Sequence, residues 1–166
     1  MSMMNMPEDR LLYIKDLKTS FFTKKGVVKA VDGVSFEVNR GEIVGLVGES
    51  GCGKSVTSLS IMRLVPQPAG RITGGEMTFC GEDLLKKTEK EMRLLRGNRL
   101  SMILQDPMVS LNQLLTVGYQ LEETFRYHNK TGGSMKEKCI EMLKKVKVPA
   151  PERRVENYPF QFSGGM

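Results

Sequence analysis

A glycine-rich motif of eight residues constrains this chain more than any other part of its sequence. Gly48, Gly53, Lys54 and Ser55 stand in the spacing Gly-x-x-x-x-Gly-Lys-Ser, and the short run 42–47 precedes them. That run is apolar on both faces, which is typical of a strand buried in the middle of a parallel sheet. Helical spacing follows the motif, so the pattern predicts a strand, a glycine-rich turn and a helix in that order.

Each part of this motif suits the binding of a phosphate chain. Glycines allow backbone N–H groups to turn towards one anion, and the positive end of the following helix points at the same place. Lys54 adds a point charge for the β- and γ-phosphates, and the Ser55 hydroxyl is placed to bind Mg²⁺. The predicted binding residues are Gly48, Glu49, Ser50, Gly51, Cys52, Gly53, Lys54, Ser55 and Val56.

Cys52 lies inside this loop and leaves two interpretations open. Its thiol could have a lowered pKa beside bound phosphate, or only its backbone N–H could matter; we favour the second. Cys52, Cys80 and Cys139 are odd in number and far apart. They therefore form neither a disulfide framework nor a metal-binding pair, and a reducing, cytoplasmic compartment is expected.

The remaining pattern predicts an α/β domain with a small β annex and a helical insert. Three strands precede the glycine-rich motif, and charged or amphipathic helices fill the second half of the chain. The predicted strands are 11–20, 27–38, 42–47, 76–79 and 100–104. The predicted helices are 54–64, 88–95, 114–127 and 135–146.

Composition narrows the possible partners. With 166 residues and a formal net charge of +6, the chain suits a solvated basic surface, a nucleic-acid partner or an anionic membrane face. Trp is absent and aromatic residues make up 7% of the chain, so platforms for base stacking are poor and we expect no nucleic-acid partner. No apolar run approaches the ~20 residues that a membrane span needs.

Three segments together resemble the ATPases of ABC transporters. Residues 45–55 resemble the Walker A motif, 102–112 the Q-loop and 162–166 the start of the signature motif, in the order of that family. The residues around Gln105, the following segment 114–118 and the signature form FSGGM resemble those of the subfamily that drives oligopeptide, dipeptide and nickel importers. The resemblance implies an α/β P-loop NTPase core with an N-terminal antiparallel β annex and a helical insert.

The resemblance also implies roles for single residues, with ATP and Mg²⁺ as cofactors. Lys54 and Gln105 would be catalytic, and Gln105 would share Mg²⁺ with Ser55. Phe21 would stack on adenine, with Phe22 as a rival and a core position as the alternative for either. The residues that would meet the ATP held by a second protomer are Ser163, Gly164 and Gly165.

The implied protein is the energy-coupling ATPase subunit of an importer, at the cytoplasmic face of the cell membrane. Its partners would be transmembrane permease subunits, contacted by the Q-loop and helical subdomain, and a second ATPase subunit. The expected organisation is a flexible tail at 1–10, an ATP-binding core at 11–104, and the Q-loop, helical subdomain and start of the signature at 105–166.

The sequence departs from the family pattern in two ways. Gln113 stands where the subfamily commonly has proline, and the chain stops inside the signature motif at Met166. We therefore expect a fold incomplete at its C-terminus, without the carboxylate that positions the attacking water. Such a chain would bind nucleotide but show neither Lys54-dependent hydrolysis nor an ATP-driven dimer. A nucleotide-binding fragment without turnover is therefore the main alternative to an active ATPase subunit. A stand-alone P-loop kinase or GTPase fits less well.

Overall fold

The computed structural model describes residues 9–105, 110–128 and 133–166. The chain divides into two compact units, Met1–Arg96 and Gly97–Met166, and each is described by itself. Most of the predicted tail lies outside the described residues, and so do the four residues after Gln105.

The first unit is built on a four-stranded antiparallel sheet. Strands β1 (Arg10–Thr23) and β2 (Gly26–Asn39) form a long hairpin, and β3 (Gly70–Phe79) pairs with the other edge of β1. The short β4 (Glu82–Asp83) completes the order β2-β1-β3-β4. The antiparallel β annex predicted from the sequence is therefore present, with strands longer than predicted.

Helix α1 (Lys54–Ile61) follows the glycine-rich motif and packs against this sheet through small polar residues. Ser60 is fully buried, and its hydroxyl lies 2.8 Å from that of Thr19 on β1. The helix ends three residues earlier than predicted, because Arg63 adopts a left-handed φ of 51°. The N–H groups of Arg63 and Leu64 then bond back to the last turn, a pattern that terminates helices.

A second helix, α2 (Glu89–Leu95), begins at a complete capping box, in which Thr88 and Glu91 satisfy each other's backbone N–H groups. Arg96, directly after α2, donates to the carbonyls of Met62 and Arg63 at 2.8 and 3.2 Å. These contacts tie α2 to the end of α1.

Two strands predicted from apolar runs were wrong: neither 42–47 nor 100–104 forms an extended strand. Ile43 is 98% exposed and Ile103 is 94% exposed. A strand that is apolar on both faces needs neighbours at both edges and cover on both faces. Among the residues that the structure describes, none pairs with residues 42–47. The apolar pattern therefore indicates that 42–47 suits a buried strand, but this segment does not form one here.

The second unit is helical. Its elements are α3 (Val117–His128), α4 (Met135–Lys145), the short α5 (Pro151–Arg154) and a 3₁₀ turn, Pro159–Gln161. Their core contains the buried residues Cys139, Leu143, Val148 and Val155. Within the described ranges, no helix combines the length and apolarity required to cross a bilayer.

Candidate nucleotide site

The glycine-rich loop runs directly into α1 and is fixed by close backbone contact. Gly53 has a φ of 93° and immediately precedes the first residue of α1. A Cβ at Gly53 would lie 2.2 Å from the carbonyl oxygen of Ala30 on β2. Only glycine allows this approach, so the loop is held against the sheet at this point. A turn earlier in the loop is closed by the Cys52 N–H, which donates to the Glu49 carbonyl at 3.3 Å.

The Lys54 ammonium lies inside the loop. Its Nζ donates to the carbonyl oxygens of Gly48 and Glu49, both at 2.6 Å, and approaches the Cys52 Sγ at 3.3 Å. These three contacts match the three donors of a lysine. An anion that enters the loop therefore meets a cation already in place, and must compete with carbonyl groups for its protons.

The thiol of Cys52 is exposed and faces this ammonium. A hydrogen bond from Lys54 is the main cause that lowers the pKa of the Cys52 thiol. A Cβ added at Gly48 would lie 2.6 Å from the Cys52 Sγ, so the Cys52 side chain packs over that glycine. That only the backbone N–H of Cys52 matters for binding stays a prediction.

The start of α1 is suited to an anion. Lys54, Ser55 and Val56 form its first residues, and its first turn carries no acidic side chain. Ser55 is exposed, so its hydroxyl is accessible to a ligand. The helix is anchored from within, since the Thr57 hydroxyl donates to the Gly53 carbonyl at 3.0 Å. An accessible helix start with a nearby cation is a general arrangement for binding phosphate.

Phe21 and Phe22 lie on opposite faces of the sheet. Alternation along β1 puts Phe21 on the face of Thr19, which contacts α1. Phe21 pairs with Val28 and Gly70, and a Cβ at Gly70 would come within 2.8 Å of its ring. The Phe22 ring lies 5.6 Å from the Arg71 guanidinium. The role predicted for Phe21 stays a prediction, but its ring is on the face that carries α1.

In the second unit, Gln105 is exposed at the end of a described range. The segment that leads to α3 is tied down by Gln120, which accepts from the Asn112 N–H and donates to the Asn112 carbonyl, both at 2.9 Å. Gln113, at the position where proline is expected, donates from its side chain to the Leu111 carbonyl at 3.4 Å.

The predicted signature residues form an open turn. The Met166 N–H donates to the Ser163 carbonyl at 2.9 Å, and Gly164 and Gly165 stand between them. Within the described ranges, a Cβ at either glycine would meet no atom within 4 Å. Phe162, directly before the turn, packs against the helical core and anchors it.

The loop residues 48–56 and Phe21 belong to the first unit, whereas Gln105 and the Ser163 turn belong to the second. The structure thus brings together the phosphate loop and one wall of the sheet. Sequence reasoning missed Ala30, whose backbone carbonyl approaches Gly53, and Gly70, which leaves room for the Phe21 ring. A glycine at position 70 was a signal for the second contact, whereas a backbone carbonyl leaves no signal in the sequence.

A lysine held in a glycine loop at the start of a helix is the arrangement of a P-loop nucleotide-binding motif. The family model described as ABC transporter matches residues 31–166. This covers most of the chain, so the chain belongs to the ABC transporter family.

Curated relatives agree with this family. The chain is 48% identical to a probable peptide ABC transporter ATP-binding protein of Sinorhizobium fredii, over 98% of this chain and 49% of that protein. It is also 48% identical to the oligopeptide transport ATP-binding protein OppD of Bacillus subtilis, over 95% of this chain and 44% of that protein. The chain therefore spans about half the length of the curated relatives it matches.

Solved structures give the same fold. A dimeric ATP-binding cassette, MJ0796, in a post-hydrolysis state with ADP and Pi, matches with a TM-score of 0.80 at 23% identity. The match covers 93% of this chain and 64% of that one. CbiO1 of Clostridium perfringens, part of an ABC transporter complex, matches with a TM-score of 0.66 at 20% identity, over 95% and 57%. The α/β P-loop fold of an ABC ATPase is thereby confirmed.

Proposed function

We propose that this chain is the ATP-binding part of a subunit that energises peptide import. The observation that carries the proposal is the Lys54 ammonium, which is held inside a glycine loop at a helix start without acidic side chains. Relatives named for peptide, oligopeptide and dipeptide transport support the class of cargo. Hydrolysis coupled to transport would belong to the whole subunit.

Mg²⁺ fits the oxygen donors that this proposal assigns to it. In the first unit Ser55 offers an accessible hydroxyl, and Mg²⁺ prefers such hard oxygen ligands with several waters. Gln105, in the second unit, has an exposed side chain, and its binding to the same ion is part of the proposal. When bound, the ion would neutralise charge on the β- and γ-phosphates. Lys54 would hold the same phosphates, and the wall around Phe21 would hold the adenine.

Partner contacts follow from the exposed parts of the second unit. We assign the Gln105 loop and the helical unit, 105–166, to contact with transmembrane permease subunits. The Ser163 turn would meet ATP held by a second ATPase subunit, and a dimeric structural relative supports this assignment. Contact with permease subunits would place the protein at the cytoplasmic face of the membrane.

Titration calorimetry with Mg-ATP tests the nucleotide site. Lys54→Ala removes a charge-assisted contact of about 1.5–3 kcal/mol, so the affinity should fall by about tenfold or more. Lys90→Ala, at an exposed position of α2, removes the same charge elsewhere and should leave the affinity unchanged. Equal affinities in wild type and Lys54→Ala would contradict the site.

Phosphate release tests turnover separately. We expect the 166-residue chain to show no difference in rate between wild type and Lys54→Ala, because no carboxylate in these 166 residues matches the family's water-orienting residue. A Lys54-dependent rate in this chain would show that a carboxylate within it, such as Asp106, does that work. Asp106 lies outside the described residues.

A further inference from the structure

The tip of the β1–β2 hairpin carries a basic and apolar surface that the nucleotide site does not use. Phe22 and Val27 pair directly across the two strands, so their side chains share one face of the sheet. Both are exposed, at 46% and 58%. Together with the surrounding cations they form what we call the hairpin patch: Phe22, Lys24, Lys25, Val27, Lys29 and Arg71.

The hairpin patch is preformed. Lys24 and Lys25 occupy a two-residue turn between β1 and β2. The Thr23 hydroxyl donates to the Gly26 carbonyl at 2.8 Å and accepts from the Lys25 N–H at 3.2 Å, which fixes the turn. The Arg71 guanidinium lies 5.6 Å from the Phe22 ring. A partner therefore meets an ordered surface and loses little entropy by ordering it.

The charge of the hairpin patch has one sign. Residues 17–31 contain no Asp or Glu. Two carboxylates beside it are already engaged: Asp32 lies 3.4 Å from Lys29, and Glu89, which shares a cavity with Arg71, is bound by Arg96 at 2.6 Å. This surface is thus one place where the excess positive charge of the chain is concentrated, with exposed apolar side chains at its centre.

We propose that the hairpin patch binds the surface of an anionic lipid bilayer. Lysine and arginine near such a surface are attracted by its negative potential, and an aromatic ring at the same level enters the interfacial region. The exposed Phe22–Val27 pair, flanked by lysines at a rigid tip, presents both components together. Opposite charge and apolar insertion reinforce each other in this arrangement.

The observations favour lipid over nucleic acid. Single-stranded nucleic acid is bound by several aromatic rings on which successive bases stack. Phe22 is the one aromatic residue of the hairpin patch, and Arg71 already lies against it. Its other apolar member, Val27, has no ring. Two apolar side chains at a hairpin tip suit the shallow insertion that a bilayer allows.

Co-sedimentation with sucrose-loaded vesicles, without nucleotide, tests the proposal. The full chain should bind vesicles in which one lipid in three is phosphatidylglycerol, and should not bind pure phosphatidylcholine. Lys24→Ala/Lys25→Ala should lower the affinity about 30-fold, since each lysine near the surface contributes about fivefold. Raising the salt from about 0.1 to 1 M should release the wild type, because the screening length falls from about 10 to 3 Å.

Two further variants distinguish the apolar contribution to vesicle binding from the electrostatic one. Phe22→Ala should lower the affinity about tenfold while leaving the dependence on salt unchanged, because it removes apolar area and no charge. Lys15→Ala/Arg40→Ala removes two charges at the opposite end of the β1–β2 hairpin and should bind like wild type. All five substituted positions are exposed, so the variants should fold, and circular dichroism checks this.

Three outcomes would overturn the proposal. They are equal binding by wild type and Lys24→Ala/Lys25→Ala, equal binding to both vesicle types, and tighter binding of a uridine oligonucleotide than of anionic vesicles at the same salt. The proposal does not rest on the nucleotide site. Lys24→Ala/Lys25→Ala should keep the wild-type affinity for Mg-ATP, and Lys54→Ala should keep the wild-type affinity for vesicles.

Discussion

The phosphate loop and the Ser163 turn are both built around glycine, but the chain supports them very differently. Gly53 is pressed against the Ala30 carbonyl, and Lys54 fills the loop with contacts at 2.6 Å. The Ser163 turn is closed by the Met166 N–H, and no atom of the described residues lies within 4 Å of a Cβ added at Gly164 or Gly165. The first glycine motif is shaped by its own unit, whereas the second is open on the surface.

This difference separates two uses of glycine. In the phosphate loop a side chain is excluded by neighbouring backbone, so the loop is ordered before any ligand arrives. In the turn a side chain is sterically possible within this chain, so the glycines leave backbone accessible to something outside it. The loop should therefore act in the chain alone, and the turn should matter only in a larger assembly.

The largest expected effect breaks the loop itself. Gly53→Ala puts a methyl group 2.2 Å from the Ala30 carbonyl oxygen, so the backbone has to move. We expect a loss of at least about 3 kcal/mol in the free energy of unfolding, measured by urea denaturation, and no measurable Mg-ATP binding.

Gly51→Ala is the matched control for that change. Gly51 also has a left-handed φ, of 83°, but nothing lies within 4 Å of its added Cβ. Only the backbone strain of about 1–2 kcal/mol should remain. If the two variants were equally stable, the contact with Ala30 would not fix the loop.

The next prediction tests which of the two neighbouring phenylalanines contacts the adenine. Phe21→Ala removes a ring on the face that carries α1, and should weaken binding of ATP and GTP alike, by about tenfold, if stacking of about 1–3 kcal/mol per base applies. Phe22→Ala should leave both affinities unchanged, because Phe22 lies beside Arg71 on the other face. Calorimetry with both nucleotides checks this, and the reverse result would move the assignment by one residue.

Much of this could be predicted from the sequence, because local spacing determines it. The phosphate loop, the helix start at Lys54 and the hairpin follow from glycine spacing and from alternation over neighbouring residues. The contacts of Ala30 with Gly53 and of Gly70 with Phe21 could not be predicted, because they join segments that are distant in sequence. The strand predicted at 42–47 was wrong for the same reason. An apolar run indicates that a segment suits a buried strand, but not whether other segments are present to pair with it.

A smaller effect concerns the thiol within the loop. Because Lys54 lowers the pKa of Cys52, its alkylation by iodoacetamide should reach half its maximal rate at a lower pH than in Lys54→Ala. The sign follows from the reactive form: a lower pKa gives more thiolate at a given pH. The measurement uses a Cys80→Ser/Cys139→Ser background, so that one thiol reports. Identical pH profiles would mean that the ammonium does not contact the thiol in solution.

The smallest expected effect is at the open turn. Ser163→Ala should leave the Mg-ATP affinity of this chain unchanged, because the Ser163 turn is exposed and we assign it to nucleotide held by a second subunit. The same change in a C-terminally extended, dimeric protein should lower ATP-driven association, measured by size-exclusion chromatography with light scattering. Lys54→Ala serves as the control that lowers binding in both proteins. If Ser163→Ala lowered the Mg-ATP affinity of this chain as much as Lys54→Ala does, the Ser163 turn would contact the nucleotide bound by the same chain. The phosphate loop and the turn would then both act within one subunit, and the difference proposed between them would not hold.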